Sequence, residues 1–303
     1  MNELKSIEKL IKEHFQSEVS EAVPVGKGAS GSVYRVIFDN KPYRIAMKVS
    51  PHPALIKKEF DMLSFLKEKT ASKIPEVYFY AEEDGKGFVA MEFVDGISGT
   101  DKTLLFRTGK KHLAESIIDN LLLIQKTTND KFGPFDNAVY DTWQEYYKLF
   151  AQEIYSFCLE KIRHGELEDI VMNAVELSYQ NLDRILADTK GKPTLIHGDY
   201  WMPNFIIDKK EMELKAVVDP FNVMWAESEY ELFAMTVGSG KKLKLYELYK
   251  SKVNVSPLCD LKLEMYALYS ELFWYKKLGS ISHSYLKERS KGLLKLMKKK
   301  SII

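Results

Sequence analysis

The alternation of hydrophobic and polar positions changes rhythm near residue 95. Before it, Leu4, Ile7, Ile11 and Phe15 recur at helical spacing, and short β-branched and aromatic runs then take over. These runs predict strands at Val23–Gly26, Ser32–Phe38, Tyr43–Val49, Glu76–Ala81 and Gly87–Phe93, with Asp39-Asn40 and Asp84-Gly85 as turns between them. One helix interrupts them, Lys57–Lys67, with Phe60, Leu63 and Leu66 on a single stripe. After Val94-Asp95-Gly96 the periodicity becomes helical over 110–128, 141–161, 166–188, 226–237 and 257–299, with short strands near Phe205–Ile207 and Ala216–Val218. The pattern predicts an α+β protein of two lobes. An antiparallel-sheet lobe with one helix covers 1–95, a hinge lies near 92–97, and a larger, mainly helical lobe covers 96–303, with a cleft expected between them.

Composition narrows the partners. Of 303 residues 45% are hydrophobic and 29% charged, which is ordinary for a folded globular chain. A net charge of +1 gives no electrostatic case for nucleic acid. Cys158 and Cys259 stand apart in no metal-binding or disulfide pattern, so a reducing cytoplasm is expected. The first fifteen residues lack the continuous apolar core of a signal peptide, and no run approaches the roughly 18 apolar residues of a membrane span. The basic end, Lys287–Lys300, reads as a solvated final helix with Leu286, Leu293 and Met297 inward. Neither nucleic acid nor membrane is the expected partner, oligomeric state is not legible, and the choice of partner must come from the sites.

The stretch Val25-Gly26-Lys27-Gly28-Ala29-Ser30-Gly31 spaces its glycines as G-x-G-x-x-G. A dinucleotide fold needs that loop to open a helix, but Val33-Tyr34-Arg35-Val36-Ile37-Phe38 follows, so the loop joins two strands. In kinases such a hairpin covers the phosphates of ATP. Ile45-Ala46-Met47-Lys48 then matches the strand whose lysine pairs with the α- and β-phosphates. Ala46 shares a face with Lys48, and with Val33 it can seat a flat adenine, while Met91, Glu92 and Phe93 at the hinge line the same site. A cleft lysine needs a carboxylate to hold it; Glu59 is the candidate, with Asp61 as its neighbour.

The most specific segment is His197-Gly198-Asp199-Tyr200-Trp201-Met202-Pro203-Asn204. Asp199 and Asn204 keep the interval of a kinase catalytic loop, in which the Asp takes the acceptor proton and the Asn holds Mg²⁺. Asp219, following the apolar run Ala216-Val217-Val218, stands where the second metal-binding acid belongs. Phosphoryl transfer spreads charge over the phosphoryl oxygens, so catalysis is mostly positioning and neutralisation. The set implies ATP, with GTP as the alternative donor, and Mg²⁺. Trp201, Trp225 and Glu227 are candidate acceptor contacts. Trp201 reads equally as a packing residue. The acids Asp136, Asp141, Glu145, Glu227 and Glu231 would suit a polyamine, though scattered acids usually form a solvated face.

Where protein kinases carry H-R-D, this chain has His197-Gly198-Asp199, so the arginine that pairs with a phosphorylated activation loop is missing. Only a short stretch separates Asp219 from the segment Glu227–Leu232, leaving no room for a peptide-binding platform. From about Val23 to Phe233 the chain resembles the aminoglycoside phosphotransferase-like family of small-molecule kinases, which has a protein-kinase-like fold. Trp201, Asn204, Asp219-Pro220, Glu229, Phe132-Gly133 and Trp143 are similar to the fructosamine and ketosamine kinases within it. Tyr200, Met202-Pro203, Phe221 and Met224–Glu229 depart from that pattern, all towards the acceptor side. The resemblance implies a kinase acting on a hydroxyl of a sugar or amino-sugar, a ketosamine or an aminoglycoside. A nucleotide-binding pseudokinase or scaffold and, more remotely, an atypical protein kinase are the alternatives.

Overall fold

The computed structural model describes residues 3–28, 31–189 and 191–303. In chain order the first elements are α1 (Glu3–Phe15), β1 (Val19–Gly28), β2 (Gly31–Phe38), β3 (Arg44–Ser50), α2 (Pro53–Lys69), β4 (Val77–Glu83), β5 (Lys86–Glu92), β6 (Ile97–Ser98) and α3 (Lys110–Gln125). There follow β7 (Gly133–Pro134), α4 (Trp143–Arg163), α5 (Asp169–Gln180), α6 (Leu182–Ile185), β8 (Thr194–Ile196), β9 (Phe205–Asp208), β10 (Glu213–Val217) and β11 (Met224–Ala226). The chain ends with α7 (Gly238–Lys242), α8 (Leu245–Lys252), α9 (Cys259–Leu278) and α10 (His283–Lys299). Two compact units result: Met1–Ile124 with His197–Asn222, and Gln125–Ile196 with Val223–Ile303. The expected boundary at residue 95 follows chain order, whereas the segment bearing Asp199, Asn204 and Asp219 groups with the N-terminal sheet.

In the first unit an antiparallel sheet runs β1-β2-β3-β5-β4. Strand alternation gives its faces different tasks. Val36, Ile45, Met47, Val49, Phe88 and Ala90 join Ile7, Leu10 and Ile11 of α1 in one core. Val33 lies opposite Lys48, and Ala46 opposite Met91, so these four share the other face. The helix α2 starts at Pro53, a residue suited to the first helical turn. It buries Ile56, Met62, Leu63 and Leu66 and, on the same stripe, Glu59; Phe60, expected inward, is only half-buried. The close approach of α2 to β5 needs Gly87, where a Cβ would lie 2.2 Å from Ile56 Cγ2. A second sheet, β10-β9-β6, completes this unit.

The second unit packs α4, α5, α9 and α10 beside a small sheet ordered β7-β11-β8. Thr142 and Glu145 form a reciprocal capping box at the start of α4. Trp143, Tyr147, Tyr230 and Tyr266 cluster at the centre, with ring centroids 4.9 to 5.9 Å apart. Three helical expectations change. Residues 226–237 are not one helix, because Met224–Ala226 pairs as a strand with β7 and β8 and only a 3₁₀ stretch, Tyr230–Thr236, follows. The 166–188 pattern splits at Asn181 into α5 and α6. The 257–299 pattern splits at Gly279, whose φ of +69° ends α9 in the left-handed conformation.

Candidate active site

Lys48 sits in mid-strand on β3 and is 4% exposed. Its ammonium donates to both oxygens of Glu59, at 2.8 and 2.7 Å, and to Asp219 Oδ1 at 2.6 Å. An ammonium has three N–H groups, so this arrangement uses its full donor capacity. Glu59 is 7% exposed, and a carboxylate on the apolar stripe of α2 is tolerable only with such a partner. The alternative, Asp61, turns outward to Lys57. Burial pushes Glu59's carboxyl up to about 7 against the pull of Lys48. Burial pulls the Lys48 ammonium down, but Glu59 and Asp219 hold it above its ordinary value.

The loop after β8 is built on steric necessity. Gly198 has φ +82°, and a Cβ there would lie 1.8 Å from the Phe221 carbonyl oxygen. The glycine of His197-Gly198-Asp199 is thus a place where the chain passes against Phe221-Asn222, and arginine cannot fit. His197 is fully buried, which pushes its imidazole down to about 3 and keeps it neutral. Tyr200, also buried, donates its hydroxyl to the Ile117 carbonyl and accepts from Asn120 Nδ2, anchoring the loop to α3.

Asn204, 7% exposed, ties the acids together. Its Nδ2 donates to Asp199 Oδ2 at 2.6 Å and to the Asp199 carbonyl at 2.9 Å, with the Asp219 carbonyl at 3.4 Å. That commits the amide nitrogen and turns its oxygen, the atom a cation would use, the other way. Burial raises the Asp199 carboxyl to about 6, partly countered by hydrogen bonds from Asn204 and the Trp201 side chain. Asp219 takes φ +54°, a left-handed conformation that Asp tolerates, and its side chain is 51% exposed. Burial raises its carboxyl, but the charge and hydrogen bond of Lys48 outweigh that and hold it below the usual carboxylate range. One carboxylate and one amide oxygen suit a hard cation that keeps water and phosphate oxygens as its other ligands.

Gly26, Gly28 and Gly31 lie in the expected hairpin, with Gly28 opposite Gly31; Ala29 and Ser30 fall outside the described residues. Met91 is buried, Glu92 is exposed at the end of β5, and Phe93 lies under Arg44, whose guanidinium is 4.8 Å from the ring centroid. Trp201 is 40% exposed and precedes the 3₁₀ turn Met202–Asn204.

The other two acceptor candidates belong to the second unit. Trp225 is 7% exposed, with its indole N–H donating to the Phe135 carbonyl. Glu227 corrects the sequence reading. It is 5% exposed, and its carboxylate accepts from Thr189, Lys262 and Tyr266, so it holds the interior together where an acceptor contact was expected. Lys262 is wholly buried and also pairs with Glu229 at 2.7 Å and Asp188 at 3.4 Å. Sequence reasoning missed Lys262 altogether. The only available signal was a lysine on the apolar side of the Cys259–Leu278 pattern.

A family model described as fructosamine kinase matches residues 3–299. A provisionally named ketoamine kinase of Staphylococcus aureus is 22% identical over 286 residues, covering 88% of this chain and 92% of that protein. Among solved structures, a provisionally named fructosamine-3-kinase from Haemophilus somnus superposes with a TM-score of 0.70 at 15% identity, covering 96% of this chain and 97% of that one. The aminoglycoside phosphotransferase APH(4)-Ia, solved with ADP and hygromycin B, gives a TM-score of 0.72 at 17% identity over 96% of this chain and 98% of that one. The fold is accordingly the protein-kinase-like fold of these enzymes.

Proposed function

Since the chain belongs to the fructosamine kinase family, and is a phosphotransferase with a small-molecule hydroxyl as acceptor, we propose that it moves the γ-phosphoryl group of ATP onto a ketosamine. The observation that carries this reading is the Lys48 ammonium held between Glu59 and Asp219. Glu59 keeps Lys48 aimed while the ammonium is shared with phosphate oxygens. Asp219 and the Asn204 amide oxygen would hold Mg²⁺, which neutralises phosphate charge when bound. The face bearing Val33, Ala46 and Met91 offers an apolar seat for the purine, with the backbone of Glu92 and Phe93 at its edge. Backbone amides of the Gly26–Gly31 hairpin would close over the phosphates. Asp199, held by Asn204, accepts the hydroxyl proton as the oxygen attacks. The half-exposed Trp201 offers a ring face for a sugar.

The fate of the five candidate acids favours a ketosamine over a polycationic aminoglycoside. Glu227 and Glu231 are buried, Asp141 pairs with Lys131, and Glu145 belongs to the α4 capping box. Only Asp136 of the five is exposed without such a commitment. A coupled ADP-release assay over ketosamines, aminoglycosides and simple sugars tests the reading. Ketosamine turnover that falls about 10²- to 10⁴-fold in Asp199→Asn, with nucleotide binding retained, is the expected result. Turnover of aminoglycosides alone would overturn the acceptor, and undiminished turnover in the variant would overturn the base.

A further inference from the structure

Tyr200 follows Asp199 directly and is fully buried, although Trp201 on its other side is 40% exposed. Its ring meets both His197 and Phe205 edge-on, with centroids 6.0 and 4.7 Å away. Those two residues bracket the stretch that carries Asp199 and Asn204, so one inward ring supports the loop between them. The hydroxyl reaches further. It donates to the Ile117 carbonyl at 2.7 Å and accepts from Asn120 Nδ2 at 3.1 Å, both on α3.

Asn120, 2% exposed, is a junction. Its Oδ1 accepts from the Lys73 backbone amide at 2.6 Å, in the segment between α2 and β4. On one side of that segment Thr70 closes α2, donating from both its amide and its hydroxyl to the Leu66 carbonyl. On the other, the Lys73 carbonyl accepts from the Val217 amide at 2.8 Å, and the Lys73 ammonium donates to the Leu214 carbonyl at 2.6 Å. Val217 ends β10 two residues before Asp219, and the next amide, Val218, donates to the Asn204 carbonyl at 3.0 Å. The end of the helix that carries Glu59, the loop that carries Asp199 and the strand that leads to Asp219 thus meet at one amide side chain, all inside the first unit. The bonds dictate the residue type. The Lys73 N–H needs an acceptor, whereas the Tyr200 oxygen, whose proton is committed to Ile117, needs a donor. A carboxylate supplies only acceptors and an aliphatic chain neither, so a side-chain amide serves both.

We propose that Tyr200 and Asn120 are positioning residues for phosphoryl transfer, whose hydrogen bonds set where Asp199 stands relative to the helix that aims Lys48 through Glu59. The role rests on the reading of Asp199 as the base and Lys48 as the phosphate contact. Transfer then needs these two arms in one geometry, and a misplacement of about 1 Å can cost on the order of 10²-fold in rate. Neither Tyr200 nor Asn120 touches the reacting groups. Each acts by leaving the loop a single arrangement, because a buried donor or acceptor without its partner is costly.

Steady-state kinetics on the full chain, with ATP, Mg²⁺ and 1-amino-1-deoxyfructose as the ketosamine, test the role. Tyr200→Phe keeps the ring and removes only the hydroxyl. It should lower kcat about tenfold with KM for ATP within about twofold of wild type, and Asn120→Ala should lose at least as much. The double variant should lose no more than the worse single one, because both act through one bond. Tyr269→Phe is the control: it removes an equally buried hydroxyl, bonded to Ser178 and the Val175 carbonyl in the second unit. It should lower the melting temperature about as far and leave kcat unchanged. Wild-type kcat in Tyr200→Phe, an equal fall of kcat in Tyr269→Phe, or losses that multiply in the double variant would overturn the role. An inactive Asp199→Asn beside an undiminished Tyr200→Phe removes the positioning role alone. Full turnover in Asp199→Asn, or no transfer by wild type to ketosamine, aminoglycoside or sugar, removes the reading of the base and this role with it.

Discussion

Two buried lysines can be set side by side. Lys48 is held by Glu59 and Asp219, and Lys262 by Glu227, Glu229 and Asp188. Both ammonium groups are almost out of water, and both sit among more carboxylates than they can neutralise. The difference lies in the partners. Asp219's side chain is 51% exposed, whereas Glu227's is 4% and Glu229's 10% exposed. The first cluster is open on one side and can exchange a partner for a ligand. The second is more enclosed, with Tyr266, Thr189 and Ser256 filling the remaining acceptor sites and Asp188, 15% exposed, opening towards a cavity of about 250 Å³ beside the cluster. Burial of charge marks a place where the fold has accepted a desolvation cost; exposure of one partner separates the proposed phosphotransfer site from a brace.

Paired substitutions give the strongest test. Lys48→Met should lower kcat about 10²- to 10³-fold with a small change in melting temperature, because Asp219 returns to water and Glu59, already raised to about 7, takes up a proton. Lys262→Met should do the reverse, costing about 3 to 5 kcal/mol of stability in urea unfolding, since three largely buried carboxylates lose their cation. If Lys262→Met is as stable as wild type and Lys48→Met unfolds, the distinction fails.

The pH profile sharpens the comparison at the next level. Asp199's carboxyl is raised from 3.8 to about 6 by burial, and a base works only when deprotonated. The rate under kcat/KM conditions should fall about tenfold per pH unit below 6 and level off above it. The sign for stability is opposite. The folded chain binds this proton more tightly than the unfolded one, so ionised Asp199 opposes folding above pH 6, and the cost disappears below 3.8. Asp199→Asn should therefore melt no lower than wild type at pH 7, as calorimetry can check. The smallest effect is expected at Trp201→Ala, a several-fold rise in acceptor KM with kcat nearly kept; a loss confined to kcat would make the ring a support for Asp199 instead.

What the sequence revealed follows the same division. The pairing of Lys48 with Glu59 and Asp219, and of Asn204 with Asp199, was legible because the proposed phosphate chemistry needs fixed residue types at nearly fixed intervals, and each interval is local or bounded by a strand. The second unit has no such grammar. Glu227 looked like a surface acid because its cation, Lys262, lies far along the chain in a different helix. The run 226–237 looked helical because a three-residue strand, Met224–Ala226, is too short to show alternation. Phe60 reads as inward, and Ile56 falls outside the expected helix, because α2 begins earlier than its apolar pattern, at Pro53, and buries Ile56 instead.

Gly198 carries a consequence for how such enzymes diverge. Glycine and arginine codons differ by a single base, so H-G-D and H-R-D are neighbours by mutation. They are distant by structure, because the Phe221 carbonyl occupies the space a side chain would enter and the backbone stands at φ +82°. A one-base change would produce a misfolded loop rather than a kinase answerable to its own phosphorylation. The barrier between the two ways of controlling this fold is a single carbonyl oxygen, and crossing it requires rebuilding the Asp219–Asn222 turn first.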